Sequence, residues 1–193
     1  MTCFSPLVEH GLVPGQTLGV VGLGGLGHMG VKIGKAMGAK VVVFTRSAGK
    51  VADAKKLGAD VVVISTDADA MKAAARTCNL IYNSIAFPHD VQPYLDCLVS
   101  RGTMIMVGGV PVGCMPQGSF ALIARGLKLA GSCIGGIRET QQMIDFCAEH
   151  NIVSDIELVE ATPEAVDVAW QRAINSDVKF RFVIDTKKTL TVA

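Results

Sequence analysis

The chain lacks an excess of either charge, and it lacks any long apolar run. Its 18 lysines and arginines are balanced by 17 aspartates and glutamates among 193 residues, so no basic stripe is available for nucleic acid or an anionic membrane. No apolar run reaches the roughly 18 residues of a membrane span, and the first residues do not follow the signal-peptide pattern. We therefore expect no nucleic-acid partner, no membrane association and a cytoplasmic location.

Clusters of metal ligands are also missing from the sequence. The six cysteines form no C-x-x-C pair, and the four histidines stand singly, with no H-E-x-x-H pattern. The sequence therefore predicts no metal site made by this chain alone, and most of the cysteines are expected to be small buried hydrophobic residues. The residues concerned are Cys3, Cys78, Cys97, Cys114, Cys133 and Cys147, with His10, His28, His89 and His150.

The Tyr-x-x-x-Lys pair of short-chain dehydrogenases is absent as well. Tyr82 is followed four positions later by Ala86, and Tyr94 is followed by Leu98. Because that reaction needs a tyrosine and a lysine to handle the proton, a self-sufficient, zinc-free reductase is the weaker hypothesis. The sequence predicts no catalytic residue.

What the chain does have is a regular alternation of apolar and amphipathic segments from about residue 17 to 150, in a sequence that is 50% hydrophobic. This alternation is typical of βαβ units, so we predict an α/β fold with a doubly wound, six-stranded parallel sheet. The predicted strands are Thr17–Leu23, Lys40–Thr45, Val61–Ser65, Leu80–Ile85, Thr103–Gly108 and Lys128–Ile134. The predicted helices are Gly25–Met37, Ala48–Leu57, Ala68–Arg76, Val91–Val99 and Phe120–Ala124, with Gly38, Gly58 and Gly102 as helix stops.

The pattern changes after the glycine pair at residues 135 and 136. Beyond it, helical and strand-like segments alternate without a clear place in the six-stranded sheet. The predicted elements are a helix at Glu139–His150, a short apolar strand at Ile156–Val159, a helix capped by Thr162 that runs toward Asn175, and a strand at Val178–Asp185.

The most informative motif is the G-x-G-x-x-G run Gly22-Leu23-Gly24-Gly25-Leu26-Gly27. It closes an apolar strand and opens an amphipathic helix, which is the context that dinucleotide binding requires. The glycines permit a sharp turn, close approach of a pyrophosphate and tight helix–strand packing, and the helix N-terminus attracts the phosphates. A glycine-rich turn without a ligand and an S-adenosylmethionine site are the alternatives.

The end of the second strand indicates which dinucleotide is bound. NAD-binding chains place a carboxylate there to bind the adenosine ribose 2′-OH, and this chain has none. Instead, Thr45 and Ser47 offer hydroxyl groups, and Arg46 and Lys50 offer positive charge, which suits the 2′-phosphate of NADP. The alternative is that these residues form an ordinary solvated turn.

Three further strand ends fall at the carboxyl edge of the predicted sheet, where ligands of open α/β sheets bind. They are Asn83-Ser84-Ile85, Val107-Gly108-Gly109-Val110 and Ser132-Cys133-Ile134. We expect them to line the binding site of the second ribose and the nicotinamide. The alternative is that each is an ordinary connection from a strand to a loop.

Several segments together resemble zinc-dependent medium-chain alcohol dehydrogenases, in particular the branch of cinnamyl alcohol dehydrogenases and bacterial aldehyde reductases. The resemblance implies that Thr45, Arg46, Ser47 and Lys50 bind the NADP 2′-phosphate. It also implies that Thr2, Ser84, Gly108, Ser132 and Ile134 contact the nicotinamide half, and that Lys128–Ile134 pairs two copies into a homodimer. The segments are Thr2–Leu7, Gly22–His28, Leu57–Asp60, Ser132–Thr140 and Asp177–Val183.

The sequence departs from this family at its front, where family members carry the catalytic zinc ligands and a structural zinc site. Cys3 is out of register with the ligand cysteine and is not its substitute. We therefore expect residues 1–16 to be a linker from the catalytic domain, residues 17–150 the NADP-binding domain, and residues 151–193 a returning segment of the catalytic domain. The chain would bind NADP(H) but would not interconvert primary alcohols and aldehydes alone. The alternative is a non-catalytic NADP(H) sensor or dimerisation module.

Overall fold

Short apolar runs bounded by glycine build a parallel sheet in the first part of the chain. The computed structural model describes residues 1–110, 119–175 and 177–186. The chain divides into two compact units, Met1–Ile152 and Val153–Ala193. Residues 1–16 belong to the first unit and include the helix α1 (Ser5–Glu9). Their assignment, and that of residues 151–193, to a catalytic domain stays a prediction.

Six parallel strands form the sheet of the first unit. They are β1 (Thr17–Val21), β2 (Lys40–Thr45), β3 (Val61–Ile64), β4 (Cys78–Asn83), β5 (Leu98–Met106) and β6 (Lys128–Gly131). The strand order is β3-β2-β1-β4-β5-β6, so the order reverses between β1 and β4. A doubly wound, six-stranded parallel sheet is therefore confirmed, with its crevice for ligands at the carboxyl ends of these two strands.

A helix follows each of the six strands. These helices are α2 (Gly27–Ala36), α3 (Val51–Lys56), α4 (Ala68–Ala73), α5 (Gln92–Asp96), α6 (Phe120–Ile123) and α7 (Ile137–Glu149), with a 3₁₀ turn at Ala48–Lys50 before α3. Gly38 and Gly58 follow α2 and α3 with φ of 79° and 109°, so both end a helix as predicted.

Central strands β1 and β2 are buried along almost their whole length, which is typical of a parallel sheet covered on both faces. Helix α2 packs very closely on β1: a Cβ added at Gly34 would lie 2.5 Å from Cδ2 of Leu18. A glycine at this position therefore lets the last turn of α2 lie close against the start of β1.

Two sequence expectations around β5 are wrong. Gly102 does not end a helix but lies within β5, and the helix predicted at Val91–Val99 stops at Asp96. The strand begins at Leu98 because this residue pairs with Cys78, and the register then shifts so that Leu80 pairs with Thr103. Arg101 in the intervening irregular stretch has a φ of 65°, which helical periodicity does not reveal.

The second unit contains a small two-stranded parallel sheet and one helix. Strands β7 (Glu157–Glu160) and β8 (Phe182–Asp185) pair with each other, and α8 (Pro163–Ile174) is capped by Thr162, whose Oγ1 accepts the Ala165 N–H at 3.3 Å. The final strand is shorter than the predicted Val178–Asp185 because only its last four residues pair with β7. Arg172 of α8 is 2.9 Å from Glu157 on β7.

Candidate dinucleotide-binding site

The glycines of residues 22–27, called here the glycine turn, have different structural roles. Gly22 has a φ of 89°, and a Cβ there would lie 3.1 Å from Oγ of Ser84. A Cβ on Gly27 would lie 1.9 Å from the Gly22 carbonyl oxygen, so no side chain fits between helix and strand. Gly24 is exposed, and a Cβ on it would meet nothing within 4 Å. Two glycines therefore close the turn, and the middle one leaves its outer surface open.

The N-terminus of α2 offers a set of backbone donors at this open surface. Its N-cap residue, Leu26, provides no side-chain cap, and the helix runs for ten residues from Gly27. No acceptor for the backbone N–H groups of residues 23–27 is found among the described residues, whereas the next one, of His28, donates to the Gly24 carbonyl at 3.0 Å. Such N–H groups, at the positive end of a helix dipole, form a binding site for phosphate groups.

The loop after β2 lies beside the glycine turn because β2 pairs with β1 in parallel. Thr45 is buried and its Oγ1 accepts the Ser47 N–H at 3.2 Å, so this hydroxyl shapes the loop. Arg46 and Ser47 are exposed. The loop therefore presents one guanidinium and one hydroxyl at its surface, and no carboxylate.

Lys50 joins this loop to the glycine turn. Its ammonium Nζ donates to the carbonyl oxygen of Leu23 at 3.2 Å, across 27 positions of sequence. The sequence placed Lys50 only near a 2′-phosphate, and nothing in the spacing indicated contact with the glycine turn. The positive charge of Lys50 therefore lies between the glycine turn and the loop after β2.

The predicted nicotinamide-side residues follow β4, β5 and β6 at the same sheet edge. Ser84 Oγ donates to the Val21 carbonyl at 2.9 Å, so this hydroxyl braces the start of the glycine turn. A Cβ on Gly108 would lie 2.3 Å from the Ile85 carbonyl oxygen, which explains a glycine there. Ser132 N–H donates to the Met106 carbonyl at 3.1 Å, and Cys133 and Ile134 are exposed.

The first residues of the chain also reach the glycine turn. Thr2 is half-buried, and the thiol of its neighbour Cys3 donates to the Leu26 carbonyl at 3.2 Å. The predicted residues Thr2, Gly22–Gly27 and Lys50 therefore occupy one region of the first unit. Their contacts with a cofactor stay predictions.

A histidine that the sequence did not single out orders the loop after β4. His89 Nδ1 lies 2.7 Å from the Phe87 carbonyl, which can only accept, so this nitrogen carries the proton. Its Nε2 then accepts from Asn83 Nδ2 at 2.9 Å, and Asn83 Oδ1 accepts the Ile85 N–H at 3.1 Å. The pair holds the loop that contacts Gly22. A polar residue at the end of a buried strand was the only sequence signal.

Possible metal ligands do not cluster in the part of the chain that the structure describes. Within residues 1–110, 119–175 and 177–186, no group of three or more His, Cys, Asp or Glu side chains is arranged to hold a metal ion.

Among the same residues, no helix is long and apolar enough to cross a bilayer.

Comparison with known proteins identifies the family. A sequence profile described as zinc-binding dehydrogenase matches residues 25–149. The chain belongs to the zinc-binding dehydrogenase family. The matched region includes the second half of the glycine turn and all of the loop after β2.

Similar proteins are about twice as long as this chain. An aldehyde reductase from Escherichia coli is 48% identical over 191 residues, which are 99% of this chain and 54% of that protein. An 8-hydroxygeraniol dehydrogenase from Catharanthus roseus is 47% identical over 195 residues, covering 100% of this chain and 53% of that protein. The chain thus spans about half the length of the curated relatives that it matches.

Solved structures of this family share the fold. A cinnamyl alcohol dehydrogenase from Sorghum bicolor matches all of this chain with a TM-score of 0.91 and 40% identity, over 54% of its own length. CAD from Helicobacter pylori, complexed with NADP(H), matches 98% of this chain with a TM-score of 0.86 and 37% identity, over 53% of its own length.

Proposed function

We propose that this chain binds NADP(H) and forms the cofactor-binding portion of an alcohol dehydrogenase or aldehyde reductase. The observation that carries the proposal is the open row of backbone N–H groups at the glycine turn, with Lys50 bound to the turn and no carboxylate after β2. Backbone donors suit a pyrophosphate, and a lysine and an arginine suit a 2′-phosphate. The NADP(H) complex of the Helicobacter pylori relative supports the same cofactor.

The residues divide the binding task along the sheet edge. Residues 23–27 would hold the pyrophosphate by their N–H groups, and Arg46, Ser47 and Lys50 would hold the 2′-phosphate. Ser84, Gly108 and the segment Ser132–Ile134 would line the nicotinamide half. Of these, Gly108 lets the chain after β5 pack directly against Ile85, where no residue with a Cβ would fit. When bound, NADPH supplies hydride equivalents for the reduction of an aldehyde to a primary alcohol.

Turnover is expected to require more than this chain. The relatives named for dehydrogenase or reductase activity are about twice its length, and the described residues contain no group that fits a zinc ion. We therefore propose that the chain binds cofactor but does not by itself reduce aldehydes. A cofactor-binding sensor or dimerisation module remains the second candidate, favoured by the same lack of a fit for zinc.

We also propose that two copies pair through β6. This strand is the last in the sheet order, so one of its edges faces away from β5. A free edge offers backbone groups that a two-fold related copy can pair with. Free thiols at Cys3, Cys78, Cys97, Cys133 and Cys147 support a reducing, cytoplasmic location for this assembly.

The test compares cofactors and lysine variants. Lys50→Ala should weaken NADPH binding by about tenfold or more, the value of one charge-assisted hydrogen bond, and should weaken NADH binding much less. Lys56→Ala is the matched control because Lys56 is exposed and lies in the next helix, α3. Equal losses for both cofactors, or equal effects of both substitutions, would contradict the assignment of the 2′-phosphate site.

A further inference from the structure

Three residues from distant parts of the first unit meet underneath the glycine turn. The hydroxyl of Tyr82, on β4, donates to Sγ of Cys3 at 3.2 Å. Cys3 Sγ in turn donates to the carbonyl oxygen of Leu26 at 3.2 Å. Tyr82 is fully buried and Cys3 is 4% exposed, so the contact is shielded from water. The hydrogen bonds link the first residues of the chain and β4 to the N-cap of α2.

The direction of these hydrogen bonds follows from burial and packing. The Tyr82 ring lies against α2, where a Cβ on Gly30 would be 3.4 Å from its Cδ1 and Cε1 atoms. Burial, with Cys3 beside it, raises the pKa of Tyr82 far above its usual value, so the hydroxyl keeps its proton and donates. The thiol, accepting from the phenol, uses its own proton toward Leu26, because a carbonyl oxygen can only accept.

The orientation of the Leu26 carbonyl determines the orientation of the Gly27 N–H, which is one of the glycine-turn donors without an acceptor among the described residues. The Leu26 carbonyl and the Gly27 N–H belong to the same planar peptide group and point in opposite directions. This carbonyl also accepts the Gly30 N–H at 3.0 Å, the first bond of the helix ladder. A second hydrogen bond from Cys3 therefore fixes the rotation of the peptide plane, and with it the direction of the Gly27 N–H.

We propose that Cys3 and Tyr82 are positioning residues for the cofactor: they orient the Leu26–Gly27 peptide group so that its N–H faces the dinucleotide pyrophosphate. The inference rests on the proposed NADP(H) site and adds a specific consequence. The two hydrogen bonds from Tyr82 to Cys3 and from Cys3 to Leu26, called here the relay, act at the pyrophosphate and not at the 2′-phosphate. Arg46 and Lys50 lie on the loop after β2, and Lys50 contacts the Leu23 carbonyl, not the Leu26–Gly27 peptide group.

The test uses two ligands that differ in the part of the site they occupy. NADPH needs the glycine turn for its pyrophosphate, whereas adenosine 2′-monophosphate carries only the group expected near Lys50. Tyr82→Phe and Cys3→Val should each weaken NADPH binding by about threefold to tenfold, the value of one ordinary hydrogen bond, and leave adenosine 2′-monophosphate binding unchanged. The double variant should lose no more than Cys3→Val, because Tyr82 acts through the thiol.

Matched controls exist within the same unit. Tyr94→Phe removes the hydroxyl of the other tyrosine, which is also buried but packs edge-on against Phe44. Cys147→Val changes a half-buried thiol on α7. Cys3→Ser keeps a hydrogen-bond donor and an acceptor at this position, so it should bind NADPH like the wild type and more tightly than Cys3→Val. Hydrogen exchange at residues 27–31 should accelerate in Tyr82→Phe and Cys3→Val, and exchange along β2 should not.

Each outcome has a distinct meaning. Wild-type affinity for NADPH in folded Tyr82→Phe and Cys3→Val would overturn the relay, and so would equal losses for both ligands, which indicate a general structural effect. If Cys3→Val does not fold, Tyr82→Phe tests the relay alone. This substitution removes the buried hydroxyl itself, so no hydroxyl is left there without a hydrogen-bond partner. A wild-type chain that binds neither ligand would instead refute the proposed function.

Discussion

Alanine substitutions at two glycines of the same turn should separate folding from binding. A Cβ on Gly27 would lie 1.9 Å from the Gly22 carbonyl oxygen, far inside van der Waals contact, so helix α2 or the turn must move. Forcing such an overlap costs about 1–3 kcal/mol or more. In a chain of this size that lowers the melting temperature by roughly 3 to 10 °C. A Cβ on Gly24 meets nothing within 4 Å, so Gly24→Ala should melt like the wild type.

The two variants should then differ in their response to cofactor. NADPH at 100 times its dissociation constant adds about 2.7 kcal/mol to a protein that binds it only when folded. The wild type should therefore melt roughly 5 to 10 °C higher with NADPH, measured by differential scanning fluorimetry. Gly24→Ala should lose most of this gain because the methyl group occupies the open surface of the turn. If NADPH raises the melting temperature of Gly24→Ala as much as that of the wild type, the open surface at Gly24 does not bind the cofactor. If Gly27→Ala melts at the wild-type temperature, the predicted overlap at Gly27 is wrong.

Three further predictions concern ionisation, thiol reactivity and assembly. Although burial opposes it, hydrogen bonds from the Val41 N–H and Lys35 hold the pKa of Asp60 below its usual value. Asp60→Asn should lower the urea midpoint at pH 7, and the difference should vanish as acid protonates Asp60 in the wild type, since the stabilisation exists only above that lowered pKa. Burial raises the pKa of Cys78 to about 11 and of Cys97 to about 12, so an alkylating agent at pH 8 should label the exposed Cys133 before these two cysteines. Mass spectrometry of the labelled peptides measures this order, and NADPH should slow the labelling of Cys133. The Ser132 N–H donates to the Met106 carbonyl of β5, so the N–H of the preceding residue, Gly131, faces the outer edge of β6. Gly131→Pro should therefore convert a dimer to a folded monomer in light scattering, whereas Ala130→Pro should disrupt the sheet. A Gly131→Pro variant that remains a dimer would exclude pairing through this edge.

Much of the fold was predictable because buried parallel strands are nearly continuous apolar runs. All six predicted strands of the first unit form, and β2 has the predicted bounds, Lys40–Thr45. The start of β5 was not predictable, because Leu98 pairs with Cys78 through an irregular register that leaves no periodic trace. The pairing of β7 with β8 was also missed, since the two strands are short and separated by a helix.

The site was predictable only where its residues are neighbours in sequence. The glycine turn and the loop from Thr45 to Lys50 each carry a local pattern whose chemistry can be interpreted. The hydrogen bond from Lys50 to Leu23 joins residues 27 positions apart, and that from Tyr82 to Cys3 joins residues 79 positions apart. Such contacts depend on how strands are ordered in the sheet, so Cys3 could be predicted only to be a buried hydrophobic residue.

We propose above all that the chain binds NADP(H) through the glycine turn and the basic loop after β2. Isothermal titration of the wild-type chain with NADPH and with NADH tests it most directly. We expect one site per chain and NADPH binding about tenfold tighter or more than NADH binding, because one charge-assisted hydrogen bond to the 2′-phosphate has that value. Equal affinities, or tighter binding of NADH, would contradict it.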